Sequence, residues 1–445
     1  MPDPSARTLA HPAPPPPASV TAPPLRVSLA LLALVLMPFP IVVHGWGDPT
    51  LAYDYVTILF PVDVALAGLL VVGIGPLVGR IRRRAIGLGA GLWTAFAVVM
   101  TVTWFFHPSA RGLHRTFELW GVAVLADALT DAATSGYGSL VVGAVTFVAV
   151  LESVWAIVQQ ITRSGLGLTR LGEDPHPFYP FTPSVWAPMG SMVHPYVLAG
   201  LALVGGGTAA WWGVRTGRLH WLVLAAIAVV PVGFTFSRAG LLSLGLLAGG
   251  FALGALPPGE RRRPCALAAL LLCVGFVVPA AVWSSGWRIR ADQTSSATSA
   301  DAVTTDRGAL IRQGWDTLTA HPLTGVGPGR YVIALEARAT SARARKTGVV
   351  KPVHNVVLLV GAEGGVLALL VMAALYVGVG WRSLRAGVLA LGIYLAYLPF
   401  SMLDHFPYSF PQGLLVTGVW LAVLDWLWRV RRDPTRAGEA AAQAR

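Results

Sequence analysis

The run NVVLLVGAEGGVLALLVMAALYVGVG, residues 355–380, decides the fold class. Only one of its side chains, Glu363, is of a type that carries charge at neutral pH. At about 1.5 Å rise per residue, a helix of this length crosses the ~30 Å hydrocarbon core of a bilayer. Comparable apolar runs lie on both sides of it, at 27–43, 56–78, 85–106, 117–129, 139–161, 193–214, 219–236, 239–256, 265–282, 384–402 and 412–428. The chain as a whole has 445 residues, 55% hydrophobic and 12% charged, with a mean hydropathy of +0.63. A bilayer core has no water to satisfy backbone groups, so apolar runs of this length span as helices. The expected fold is therefore all-α: a polytopic bundle of about twelve spans, with one long, partly helical extracytoplasmic loop.

Charge divides the loops between two sides. Arg80, Arg82, Arg83 and Arg84 follow the second span. Arg215 and Arg218 follow the sixth, Arg261, Arg262 and Arg263 the eighth, Arg382 and Arg385 the tenth, and Arg429, Arg431 and Arg432 the twelfth. All lie after even-numbered spans, so the positive-inside rule puts them and both termini in the cytoplasm. The expected organisation is a disordered Pro/Ala-rich tail over 1–26, spans over 27–282, an extracytoplasmic loop over 283–353, further spans over 354–428, and a cytoplasmic tail over 429–445. The net charge of +12 then reports orientation in a cytoplasmic (inner) membrane, not nucleic-acid binding.

The block 283–353 does not obey that account. It carries Arg288, Arg290, Arg307, Arg312, Arg330, Arg338, Arg343, Arg345, Lys346 and Lys351 against Asp292, Asp301, Asp306, Asp316 and Glu336. Positive charge that topology does not call for points to an anionic substrate. Within the block, Leu310, Ile311, Trp315 and Leu318 have helical spacing over 307–320, ending before Pro322. Gly325-Val326-Gly327-Pro328-Gly329 reads as a turn, and 335–346 as a second, basic helix. The block closes on His354-Asn355, at the mouth of the 355–380 span.

Other chemistries find no footing. No phosphate-binding glycine loop precedes a suitable helix, and no Cys/His set has metal spacing. Cys265 and Cys273 share one apolar run and read as small core residues. No cofactor and no metal is expected.

Four features together resemble the O-antigen ligase superfamily, which includes O-antigen polymerases and protein O-oligosaccharyltransferases. They are Phe236-Ser237-Arg238-Ala239-Gly240 at an outer span junction; Arg307 placed 15 residues before Pro322; Pro322-Leu323-Thr324-Gly325-Val326-Gly327-Pro328-Gly329; and His354-Asn355 followed by Glu363-Gly364-Gly365. The resemblance covers residues 190–380 well and the rest by topology alone. It implies a membrane glycosyltransferase whose donor is a glycan on a polyprenyl diphosphate, such as undecaprenyl diphosphate. The acceptor would be a glycan or lipid-linked glycan, met on the outer side without nucleotide sugar or metal. By motif, Arg238 and Arg307 would serve the diphosphate, with Arg312 as a neighbouring candidate, and His354 would serve the acceptor.

The residue chemistry fits. Guanidinium groups bind a diphosphate through charge-assisted, bidentate hydrogen bonds and stabilise charge on a leaving oxygen. Histidine is poised as a base near neutral pH. Each residue also has a structural alternative. Arg238 could snorkel at the interface, Arg307 and Arg312 could be solvated helix residues, and His354 could cap the span with Asn355. Glu363 could pair with a structural cation, and Asp63 and Glu152 could line the bundle interior. Asp404-His405, in the last outer loop, could assist the site as a second base but reads rather as an interfacial structural pair, and His194 is assigned no donor contact. Ligase is preferred over polymerase or protein glycosylation. An anion transporter is the rival from another class, disfavoured because the two halves show no repeat.

Overall fold

A computed structural model describes residues 23–39, 41, 44–46, 57–171, 173–174, 176, 178–182, 185–295, 307–338 and 351–433. Within them the chain is a helical bundle, with two short hairpins, β1–β2 (His44–Trp46 and Thr57–Leu59) and β3–β4 (Phe178–Thr182 and Val185–Pro188). Seven helical stretches are long and apolar enough to cross a membrane, and four shorter apolar helices accompany them. One of the seven, Ala110–Thr162, is two helices joined at Ser135–Gly136, where Gly136 takes φ +96°. Divided there, the set overlaps each of the twelve expected spans.

In chain order the apolar helices are α1 (Leu25–Leu36), α2 (Pro61–Arg82), α3 (Leu88–Phe106), α4 (Ala110–Ala132), α5 (Gly138–Thr162), α6 (Pro195–Thr216), α7 (Leu219–Val229), α8 (Arg238–Gly254) and α9 (Arg262–Val282). Three helices of the polar block follow: α10 (Ser284–Ser295), α11 (Arg307–Ala320) and α12 (Tyr331–Arg338). The chain then re-enters the bundle as α13 (Val356–Ala386) and α14 (Val388–Leu403), makes the one-turn α15 (Phe406–Ser409), and ends on α16 (Pro411–Arg432).

Packing ranks these helices by depth. α6 is buried along its whole apolar window, whereas α9 is only 28% buried and presents most of its surface outward. Such an outward apolar surface is stable only against lipid. The chain is thus a membrane protein built around α6 and α16, the second of which is 83% buried.

Polar contacts fix which helix ends lie together. Arg26 of α1 and Arg80 of α2 pair with Asp127 and Asp131 near the end of α4. Asp425, near the end of α16, accepts the N–H groups of Gly89 and Ala90 that open α3. We call this the arginine-rich end. At the opposite end, Ser191 donates to the Pro38 carbonyl beyond α1 and to Glu152 of α5. The expected interior positions of Asp63 and Glu152 hold: they are 3% and 0% exposed.

Two expectations need correction. The first span was read as running through Pro38, but α1 stops at Leu36. Met37 keeps helical dihedrals, φ −52° and ψ −41°, and caps the helix; Pro38 has no N–H with which to carry the ladder further. The second loop helix spans Tyr331–Arg338, so it starts earlier than the expected 335; its expected remainder, 339–346, lies outside the described residues. So do 1–22 of the expected tail, 296–306 of the block, and 434–445.

Candidate functional site

The end of the molecule opposite the arginine-rich end gathers the side chains that carry chemistry. Its base is the junction of the polar block with α13. The Pro322–Gly329 turn lies directly on this helix: Val326 and Gly327 donate to the carbonyls of Ala362 and Glu363, and Val366 donates to Pro322. Only glycine permits this approach. A Cβ on Gly325 would sit 2.3 Å from the Glu363 carbonyl carbon, and one on Gly365 would sit 2.4 Å from the Leu323 oxygen. Gly365 also takes φ +77° and ψ −175°, which kinks α13 where the turn docks.

Glu363 locks that contact. Its carboxylate accepts the N–H of Gly329 at 2.7 Å, the N–H of Tyr331 at 3.2 Å and the Tyr408 hydroxyl at 2.6 Å. Its partners are therefore backbone donors and a phenol, a bracing role. Arg115 extends the brace by donating to the carbonyls of Tyr408 and Ser409 and to Glu118 at 3.0 Å.

His354 stands just before α13. The cap of that helix is Asn355, whose Oδ1 accepts the Leu358 N–H at 3.0 Å and whose amide donates to the Met402 carbonyl. The histidine is thus released from capping. Its Nδ1 is 3.0 Å from the Pro352 carbonyl, an acceptor only, so Nδ1 carries the proton and Nε2 the lone pair in the neutral ring. Burial first, then His405 and Arg307, lower its pKa to about 4, so the ring is neutral at physiological pH.

An aromatic and imidazole chain continues from His354. Its ring meets His405 edge to face at 5.0 Å; His405 neighbours Phe410 at 5.6 Å; Phe410 stacks on His194 at 6.1 Å; His194 meets Tyr179 at 4.5 Å and Tyr196 at 4.7 Å. His194 Nδ1 accepts the Tyr196 N–H, which leaves Nε2 to carry the proton when this ring is neutral. Its pKa is also lowered to about 4, chiefly by burial. Asp404, just ahead of α15, accepts the N–H groups of His405 and Phe406. Burial works to raise its pKa, but His405, His354, His194 and the Phe406 N–H outweigh it and hold the carboxyl below its usual range.

The arginines approach from the other side. Arg238 begins α8, whose cap is Ser237, accepting the Gly240 N–H at 3.0 Å. α10 is pinned to this junction because Trp287 donates to the Gly233 carbonyl at 2.7 Å and packs edge to face on Phe236. Arg290, three residues beyond Trp287, therefore lies on the same helix face. Burial first, then the charges of Arg238 and Arg307 against the raising influence of Tyr196, lower the Arg290 pKa. Arg290 thus stands within electrostatic reach of both sequence-derived arginines, and Arg307 within reach of His354. Arg307 opens α11, which packs on the start of α13 through Gly314 against Val353 and Leu358. The Arg307 Nε is buried without a hydrogen-bond partner among the described residues.

Arg290 thus has both Arg238 and Arg307 as electrostatic neighbours, and Arg307 in turn neighbours His354. Arg312 lies elsewhere: five residues after Arg307 it points about 140° around the helix, and it is exposed. Sequence reasoning left out four members. Arg290 was one of ten basic residues with nothing to set it apart, although its spacing from Trp287 was visible. His194, His405 and Tyr196 sit at span mouths far apart in the chain, and Asp404-His405 was read as structural.

One described group of His and acidic residues could hold a metal by proximity: Asp63, His114 and Glu118, with ligand atoms within 4.8 Å of one another. Arg115 already supplies a cation to Glu118, so the group balances two acids with an arginine and a histidine.

Among known families, the model described as O-antigen ligase matches residues 222–373. The match contains Arg238, Arg290, Arg307, Arg312, His354 and Glu363, whereas His194, Asp404 and His405 lie outside it. No curated protein matches the chain.

Proposed function

We propose that the chain is a member of the O-antigen ligase superfamily, whose family model matches residues 222–373, and that it transfers a glycan from a polyprenyl-diphosphate carrier to an acceptor hydroxyl. The observation that carries this reading is the run of electrostatic neighbours from Arg238 to Arg290 to Arg307 to a neutral His354 whose Nε2 bears the lone pair, beside the buried, unpartnered Arg307 Nε. The diphosphate of the donor engages Arg238, Arg290 and Arg307, whose guanidinium forks match phosphate oxygens. The buried, unpaired Nε of Arg307 supports this, because such a donor is costly unless a ligand accepts from it.

In the reaction, His354 Nε2 takes the proton of the acceptor hydroxyl while its oxygen attacks the anomeric carbon. The bond from that carbon to the diphosphate breaks, and the leaving group departs with the electron pair, its charge met by the arginines. Attack from the face opposite the leaving group inverts the anomeric configuration. A neutral imidazole at pH 7 is already in the base form. The membrane is the cytoplasmic (inner) one, and the site faces away from the cytoplasm, because the opposite end carries the short arginine-rich loops. The acceptor we favour is a lipid-linked surface glycan such as lipid A–core.

The test is reconstitution with a polyprenyl-diphosphate glycan and a panel of acceptors: lipid-linked core glycan, a second carrier-linked glycan, and a Ser/Thr peptide. His354→Ala should lose on the order of 10²- to 10⁴-fold in transfer rate. It should still bind donor, since the arginines are untouched. Undiminished transfer by this variant, or retention of the donor anomer in the product, would refute the proposed chemistry.

A further inference from the structure

At the arginine-rich end, remote from the His354 cluster, two cavities of about 600 Å³ and 590 Å³ adjoin. Both are lined by Arg215 and Val430. The first is otherwise rimmed by Arg84, Arg382, Arg429 and Arg432; the second by Arg261 and Arg431. We propose that this paired cavity is a binding site for the phosphate headgroup of an anionic phospholipid from the leaflet it meets. The proposal does not depend on the transfer reaction.

Three observations lead there. First, the arginines converge on concave space instead of spreading over loops, and orientation alone requires only the charge, not the cavity. Second, aromatic rings organise them. Arg382 and Arg432 both lie over the Trp428 ring, at 5.6 and 5.3 Å, and Arg215 lies over Trp211 at 5.6 Å. Stacking holds a guanidinium by its face and leaves the in-plane N–H fork directed at a phosphate. Third, the acidic balance is weak. Seven arginines line the two cavities against Asp425 and Asp433; Asp425 accepts the N–H groups of Gly89 and Ala90 and pairs with Arg382 at 4.0 Å, and the residues lining the second cavity include no acid. The volumes suit a headgroup, and a basic pocket between spanning helices is where an anionic lipid binds more strongly than surface charge alone would hold it.

The test compares lipid retention. The purified chain is equilibrated in mixed micelles of phosphatidylglycerol and phosphatidylcholine, and lipid carried through size exclusion is measured by mass spectrometry. The wild type should retain phosphatidylglycerol in preference. Arg382→Gln with Arg432→Gln should weaken that preference, by about fivefold per arginine removed. Arg432→Gln alone, on an exposed residue of the last turn, gives the same direction if the double variant folds poorly. The control is Arg82→Gln with Arg83→Gln, which removes equal charge from exposed positions outside both cavities and should leave retention unchanged. Equal loss in the control would reduce the effect to diffuse attraction and overturn the site. Equal retention of phosphatidylcholine would do the same. Thermal stabilisation by inorganic phosphate as large as that by phosphatidylglycerol would reassign the cavity to a soluble anion and overturn the lipid assignment.

Discussion

At the scale of single residues, the hydrogen bond that matters most is the one from His354 Nδ1 to the Pro352 carbonyl, because it leaves the lone pair on Nε2, the nitrogen that the proposed reaction uses. Burial of His354 and His194 has a second consequence. Each has its pKa lowered from 6.5 to about 4. Between those values the unfolded chain binds more protons than the folded one, so stability rises with pH there. The imidazoles impose no penalty above about pH 6.5 and destabilise progressively as pH falls towards 4. The thermal midpoint in detergent should therefore drop between pH 7 and pH 5, and His354→Gln should make that drop smaller. An identical pH dependence in wild type and variant would argue against a buried neutral ring. Arg290 offers a complementary check: Arg290→Gln should raise the donor KM while leaving the acceptor KM near its original value, as expected of a diphosphate contact.

At the scale of elements, the Pro322–Gly329 turn and the Glu363-Gly364-Gly365 stretch are two halves of one joint. Their motif character comes from backbone geometry: the turn lies so close to α13 that side chains on Gly325 or Gly365 would collide with main-chain atoms. Gly365→Ala combines that collision with a backbone conformation suited to glycine, and should cost at least about 2 kcal/mol. The change should appear as a lowered unfolding temperature, with loss of transfer because α11 and Arg307 rest on the same helix. A neutral Gly365→Ala would mean that the turn does not dock as described. The sequence showed α11 almost to the residue, since its apolar spacing ends at Pro322. It could not show that α10 is pinned by Trp287, because that hydrogen bond reaches Gly233, 54 residues earlier.

At the scale of the whole molecule, the two ends do different work. Arg26, Arg80, Asp127 and Asp131 form a charge-balanced group that ties α1, α2 and α4 together, with Asp127 1% exposed. Removing one charge leaves the others uncompensated, so Asp127→Asn should destabilise by about 3 kcal/mol or more, read as a lowered melting temperature. Sidedness is tested in a cysteine-free background, with Cys265→Ala and Cys273→Ala. Ser285→Cys, near the His354 end, should react with a membrane-impermeant maleimide from outside the cytoplasmic membrane. Glu260→Cys, at the arginine-rich end, should react only after lysis; the reverse pattern would invert the proposed orientation.

The helices themselves were determined by the sequence. Apolar length is a local property, and a bilayer forces the backbone of each long apolar run to satisfy its own hydrogen bonds, whatever its neighbours. The candidates Arg238, Arg307 and His354 came instead from the motifs that carry the family resemblance, which are also short and local in the chain. Only the tertiary structure could decide that Arg290 has two of them as electrostatic neighbours, that Arg312 is exposed, and that His194 and His405 complete the ring chain to His354. Those facts depend on how helices rotate and pack against one another, and packing is set by contacts between residues hundreds of positions apart, which no local pattern encodes.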